Sequence, residues 1–448
     1  MATSLPSYVK ASVPNPAGAR APWYKNTAPS YAGIFLWFPF YLTLAAQTLT
    51  QASITVCLLG LLVAGLLCFG LYYYAPAMLG MQTGRPLYIV GTSTFGTTGG
   101  YLMPGLLMGV LQIGWFAVAT YFATFYIMQG LHASSKTLFT AIAVVWAYGL
   151  AWVAIKGIAY VARMAQVLNW VPLGMIIIVF GANLRGLHRY SNPDAPSNLG
   201  GFLTMIAIVT GFFATAGAAG ADFGMNNRDR RDVTLGGLAG IALAILVAGG
   251  LPVLAVAGNV GNMSYVGIPP AYDFTAAVNS VGALAPLVFF LFAAASLAPT
   301  CFCTFIAANS FGTMLPQVPR AVSTVIAVTI GMLLAVTGAA QNLIGFFTIV
   351  GASFGPICGA MAAEYLLEGG RWSGPRQGIN WAGYIAWALG FLVGAPSIIP
   401  GIPAAWVHAD SPSPVFSFVV GFVAYWLLAK AGLRPPAVAP SELAVARA

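Results

Sequence analysis

Charged residues are few: Asp, Glu, Lys and Arg fill 6% of 448 positions, against about a quarter in soluble domains. With 59% of residues hydrophobic, a water-soluble fold is excluded and the bilayer becomes the solvent. Histidine is equally scarce, and His132, His188 and His408 all fall near the ends of apolar runs or in loops. Of the acidic residues, Asp222 and Glu364 enter apolar stretches, both close to an end. Proton relays place carboxylates or histidines within the span, so this distribution argues against one. It also argues against hydrolysis. Gly351-Ala352-Ser353-Phe354-Gly355 fits the G-x-S-x-G pattern, but that motif needs a strand-to-helix elbow and a histidine partner, and Ser353 reads as a small packing residue. Five cysteines, Cys57, Cys68, Cys301, Cys303 and Cys358, lie inside apolar runs with no metal-type spacing. There they act as small hydrophobes, and neither a disulfide nor a metal site is expected. No repeated filter sequence or ring of charges points to a channel.

Long apolar runs, in contrast, fill the chain. Twelve are read at 31–50, 53–78, 101–129, 137–156, 164–183, 199–224, 235–258, 282–314, 321–339, 342–366, 379–398 and 414–433. Each approaches the roughly 20 residues that a membrane helix requires. The runs are continuously apolar, whereas barrel strands alternate, so the expected class is an all-α integral membrane protein of twelve transmembrane helices. About thirty polar, proline-bearing residues precede the first run, unlike the short charged lead of a signal peptide, and the run is expected to remain in the mature protein.

Charge then sets the orientation. With the N-terminus inside, all but Lys136, Arg185 and Arg189 of the 18 Lys and Arg residues, Arg163 and Arg447 among them, fall on the cytoplasmic side. The positive-inside rule predicts that split for an even helix count with both termini in the cytoplasm, in a plasma membrane of bacterial inner-membrane type. The net charge of +9 is explained by topology and an anionic leaflet, so no nucleic-acid partner is called for; oligomeric state is left open. Residues 1–29 and 434–448 read as disordered cytoplasmic tails on their proline content.

Two runs carry helix breakers. In the sixth, TGFFATAGAAGADFG over 210–224 is rich in glycine, which costs about 1 kcal/mol per residue against alanine in a helix. In the first, Pro39 removes a backbone donor in mid-span. Transporters build binding sites from discontinuous helices at matching positions of two inverted halves, and these runs stand five apart. The division expected is therefore a five-helix repeat over 30–183, a second over 184–367, and two peripheral helices over 368–433. The competing reading takes the glycines and alanines as close helix packing, as for Gly105 and Gly109 in GLLMG.

Several segments bear on the choice. Gln82-Thr83-Gly84, Thr94-Phe95-Gly96 and Gln112-Ile113-Gly114-Trp115-Phe116 follow one another within 80–123; Gly220-Ala221-Asp222-Phe223 closes the sixth run, and Ala363-Glu364-Tyr365-Leu366 precedes INWAGYIAWALG. In these elements the chain resembles the nucleobase-cation symporter family, in its purine and cytosine permease branch. The resemblance implies two inverted five-helix repeats working by alternating access. It also implies a planar heterocycle stacked on Trp115, bracketed by Phe213 and hydrogen-bonded by Gln112, with Phe212 and its backbone near the opened sixth helix. Gln112 and Trp115 stand three apart and so share a helix face. They offer an amide beside an aromatic plane, equipment suited to a flat base.

The eighth run departs from the family. Where cytosine permeases carry an asparagine-containing polar stretch, this chain reads ASLAPTCFCTFIAANS. A buried donor or acceptor without its match costs about 1–3 kcal/mol, so the preferred ring is left open among cytosine, a methylated or vitamin-precursor pyrimidine and a hydantoin-like ring. The resemblance further implies a coupling cation, sodium or a proton, and no other cofactor. Sodium is favoured because no titratable group lies at mid-span. Its expected ligands are Thr300, Thr304 and the Cys303 backbone, facing carbonyls near Phe38 and Tyr41. The alternative is a same-fold transporter of amino acids or another small solute, which would want a charged partner for a zwitterion.

Overall fold

The structure is a computed structural model describing residues 5–156, 168, 170–192, 197–315, 317–402 and 411–438. Arg163, His408, Arg447 and most of 164–169 lie outside the described residues. Among those described there is no strand, only isolated bridges at Ala21–Asn227 and Arg376–Ala437. Backbone polar groups in hydrocarbon find no water, so the chain bonds to itself as helix.

The first run is two helices, α1 (Thr27–Phe35) and α2 (Leu44–Thr48), joined by the turn 36–43. Pro39 offers no N–H, and the turn closes through tighter bonds, Phe40 N–H to Trp37 O at 3.0 Å and Tyr41 N–H to Phe38 O at 3.2 Å. Then follow α3 (Ile54–Thr83), α4 (Tyr101–Gly130), α5 (Lys136–Lys156), α6 (Trp170–Arg189), α7 (Asn198–Ala218) and the short α8 (Gly220–Gly224). The second half holds α9 (Arg230–Tyr265), α10 (Ala285–Ala295), α11 (Leu297–Met314), α12 (Arg320–Val336), α13 (Leu343–Leu367), α14 (Trp381–Gly394) and α15 (Ser413–Lys430). By length and composition nine described spans suffice to cross a membrane, while α12 and α14 are shorter apolar helices.

The sixth run corrects the expectation of an opened helix. α7 runs unbroken through Phe212 and Phe213 to Ala218, and the chain is interrupted only at Ala219. Its glycines serve close approach instead. A Cβ on Gly217 would lie 2.5 Å from Tyr72 Cβ, and one on Gly224 would lie 2.2 Å from the Ala77 carbonyl oxygen, both on α3. Small residues here let two helices touch backbone to backbone. α3 and α9 also share a feature that hydrophobic periodicity did not reveal: each contains a π-helical segment, Cys68–Tyr73 and Leu238–Leu243.

The tails are likewise ordered where described. Asn15 Nδ2 donates to Met225 O and to Asn226 Oδ1, Arg20 to Met81 O, and Trp23 N–H to Asp232. Leu5 and Val9 are buried with Ile89 and Val438. Prolines space this segment out, but its polar groups dock on the end of α3, the α8–α9 loop and the start of α9. On the same face, Glu364 of α13 is buried, and its carboxylate accepts from Ser373, Arg376, Tyr425 and Arg434. Breaking a buried pair leaves an uncompensated charge, at about 3–5 kcal/mol. Glu364→Ala is therefore expected to lower the thermal unfolding midpoint in detergent by that order of destabilisation. An unchanged midpoint would show that water already serves the cluster.

Candidate functional site

α4 carries Gln112 and Trp115 on one face, and both are buried, 7% and 5% exposed. Four rings meet Trp115: Phe346 edge-on at 4.9 Å, Phe212 edge-on at 5.1 Å, Trp37 tilted at 5.6 Å and Phe347 tilted at 5.8 Å. They come from α13, α7 and the 36–43 turn, so the box is assembled from three elements around α4. The Trp115 indole N–H donates to Thr215 Oγ1 at 3.2 Å, which fixes the ring. Gln112 Nε2 meets only the thioether of Met108, at 3.5 Å, a weak acceptor. Phe346 also lines a cavity of about 240 Å³ together with Gly114, Val118, Asn342 and Ile349. A larger cavity, about 440 Å³, lies between α4 and α5 and is lined only by apolar residues such as Val145, Trp146 and Leu150; it offers no polar group to orient a solute.

Phe213 is not brought to Trp115. Its ring stacks on Phe35 at 5.6 Å and meets Tyr31 at 5.7 Å, while Phe212 fills the bracketing place. On a continuous helix adjacent residues diverge by about 100°, so only one of the pair can face α4. Two residues of the region were missed from the sequence. Trp37 was hidden beside Pro39, where the proline drew attention to the backbone. Asn309 on α11 is an amide retained in the eighth run, exposed and next to Ser310, which packs on Gly109 of α4.

The residues expected at a cation site separate into two groups. Phe38 packs on Tyr126 at 4.8 Å, and Tyr41 on Phe274 at 5.0 Å and Phe292 of α10 at 6.1 Å. On α11, Thr300 donates to Ser296 O at 2.6 Å and Thr304 to Thr300 O at 3.0 Å, which leaves their lone pairs as acceptors. Cys303 is buried beside them. Among the described residues no hydrogen bond joins the two groups.

Asp222 does not pair with the basic loop that follows it in sequence. Arg228 binds Asp232 at 2.7 Å and Arg230 binds Tyr74 OH, whereas Asp222 Oδ1 accepts from Leu87 N–H at 3.0 Å. It sits past the end of α7, and burial pushes its carboxyl up to about 6 from 3.8, against the smaller opposing effect of the Leu87 bond. A raised carboxyl contributes stability fully below the unfolded value, and loses it as pH rises through the folded one.

No family model matches the chain. A cytosine permease of Escherichia coli strain K12 is 25% identical over 361 residues, which make up 75% of this chain and 78% of that protein. Among solved structures, Mhp1 in its inward-facing conformation gives a TM-score of 0.67 at 19% identity, covering 97% of this chain and 94% of Mhp1. Mhp1 in a closed conformation with bromovinylhydantoin bound, described as a nucleobase-cation-symport-1 family transporter, gives 0.65 at 19%, covering 96% and 98%. The chain is thus similar in sequence to a cytosine permease and shares the fold of Mhp1. A Na+-coupled sialic acid symporter in a substrate-bound outward-open state shares the fold, at a TM-score of 0.62 and 9% identity over 94% of this chain and 92% of its own. These relatives are a permease and symporters, not enzymes.

Two outcomes follow. Aromatic stacking on a base is worth about 1–3 kcal/mol, so Trp115→Ala is expected to weaken ring binding roughly ten- to hundredfold while the protein stays in the membrane. Unaltered uptake would remove Trp115 from the site. For Asp222→Asn, stability relative to the parent protein should rise between pH 4 and pH 7, as the parent carboxyl is forced to ionise; a pH-independent difference in unfolding midpoint would contradict the buried carboxyl.

Proposed function

We propose that this chain is a secondary active transporter, a cation symporter that imports a nucleobase or related planar heterocycle by alternating access. The observation that carries the reading is the aromatic box: Trp115 ringed by Trp37, Phe212 and Phe346, with the Gln112 amide on the same face of α4. Such a site offers π-faces to a flat ring and donor and acceptor atoms to its edge. The E. coli relative is a cytosine permease and Mhp1 was captured with a hydantoin; both ligands are flat rings with polar edges. Amino-acid transport is disfavoured, because the partners of Trp115 include no charged group to meet a zwitterion.

The working architecture is two inverted repeats, 30–183 and 184–367, with 368–433 peripheral. Its support is that, of the three π-helical segments among the described residues, those of the second and seventh runs stand five runs apart, the third being Tyr101–Leu106 in the third run. Sodium is the proposed coupling ion, bound by the Thr300 and Thr304 hydroxyls and the Cys303 backbone against carbonyls near Phe38 and Tyr41. The support for this is that the regular helical ladder is interrupted at 36–43; the Phe38 carbonyl there also accepts from the Tyr41 and Leu42 N–H groups. The lopsided distribution of Lys and Arg supports both termini in the cytoplasm of a bacterial inner membrane. Phe346, shared between Trp115 and the 240 Å³ cavity, is placed to part the site from that cavity, and its movement would admit a ring.

Uptake into proteoliposomes tests the whole reading. The panel is labelled cytosine, uracil, purines, hydantoins and hydroxymethylpyrimidine, each with and without an inward sodium gradient. Accumulation of one ring driven by sodium is expected. Uptake driven by a pH gradient alone would overturn the ion, and uptake of amino acids instead of rings would overturn the substrate class.

A further inference from the structure

The turn 36–43 concentrates unmet hydrogen-bonding groups. Among the described residues eleven buried side-chain polar atoms have no partner, and three of them, Trp37 Nε1, Tyr41 OH and Thr43 Oγ1, lie on these eight residues. An orphaned donor in an apolar interior costs about 1–3 kcal/mol and is rare enough in folded proteins to call for a reason. Tyr41 packs away from Trp115, on Phe274 and Phe292. Trp37 differs. Its residue is 7% exposed, its ring lies against Trp115 at 5.6 Å, and its backbone belongs to the break where helical bonding is given up. The other indole of the box is spent, since Trp115 Nε1 already donates to Thr215.

We propose that the Trp37 indole N–H is a specificity donor of the site, reserved for a carbonyl oxygen on the edge of the transported ring. An indole nitrogen donates and never accepts, so it selects against a ring that presents N–H or an apolar edge there. The Gln112 amide, on the same face of α4 as Trp115, both donates and accepts, so a ring that offers a C=O to Trp37 and an N–H elsewhere on its edge would suit the site. The preferred class is thus an oxo-heterocycle. This deepens the transport reading above and rests on it. It also accounts for how the chain can recognise a polar ring although its eighth run is poor in amides: part of the recognition has moved to the broken first helix. The donor is held by packing, not by a hydrogen bond, so it meets the ligand without first releasing another partner.

The test is equilibrium binding to the purified full chain, with three ring pairs: uracil and 2-thiouracil, cytosine and 2-thiocytosine, hydantoin and 2-thiohydantoin. Sulfur replaces the carbonyl oxygen and accepts poorly, with the ring otherwise retained. For the pair that binds best, the oxo ring should bind the parent protein about three- to tenfold more tightly than its thio analogue. Trp37→Phe, which keeps an aromatic ring and removes the N–H, should lose about that factor for the oxo ring and bring the ratio close to one. A Trp37→Phe protein with unchanged ratio overturns the inference while leaving the transport reading intact. Should that variant fail to fold, judged by its unfolding midpoint, the parent protein decides alone: equal affinity for oxo and thio rings in every pair overturns the inference. Binding of none of the six rings sinks both the inference and the function it rests on.

Discussion

Everything in this molecule is arranged around one constraint: inside hydrocarbon a backbone that leaves the helix has no water to turn to. The chain leaves it in mid-span at 36–43, and there it is surrounded by protein. Phe38 and Tyr41 are walled in by the aromatic rings of α4 and α10, and Trp37 lies on Trp115. The same segment that leaves the regular helix therefore also carries buried polar side-chain atoms without a partner, Trp37 Nε1, Tyr41 OH and Thr43 Oγ1. A binding site in a membrane helix is, on this view, a place where the usual self-satisfaction of the backbone has been suspended under cover of large side chains.

The two breakers read from the sequence had opposite outcomes, and the reason is physical. Proline deletes a donor whatever its surroundings, so Pro39 was legible as a break. Glycine only lowers the cost of several alternatives. In the sixth run Gly217 and Gly224 are used to bring α7 and α8 against α3, a use that depends on a partner 140 or more residues away and leaves no local signature. The same limit explains Phe212 and Phe213. Adjacent phenylalanines differ in direction by a helical phase that becomes visible only once the helix is known to be continuous. The Gln112 and Trp115 pair was legible because a spacing of three states its own geometry. Trp37 was not, because its importance lies in a missing partner, and sequences record residues, not unmet bonds.

Charge shows a parallel contrast. Asp232, in the first turn of α9, pairs with its close neighbour Arg228. Asp222 instead receives a backbone N–H from Leu87, and Glu364 gathers Arg376 and Arg434 from beyond α13 and α15. Asp222 and Glu364 thus join segments far apart in sequence, and for these two the nearest neighbours in sequence are a poor guide to the partners.

The burial of Leu5 and Val9 with Ile89 and Val438 has a bearing on biosynthesis. Leu5 and Val9 are synthesised before α3 to α15, and Val438 only after α15. Until then the early segment has half of its apolar seat missing and stays available to chaperones and proteases. Closure of that small cluster can only follow the synthesis of α15, so a product halted before that helix would display the open seat.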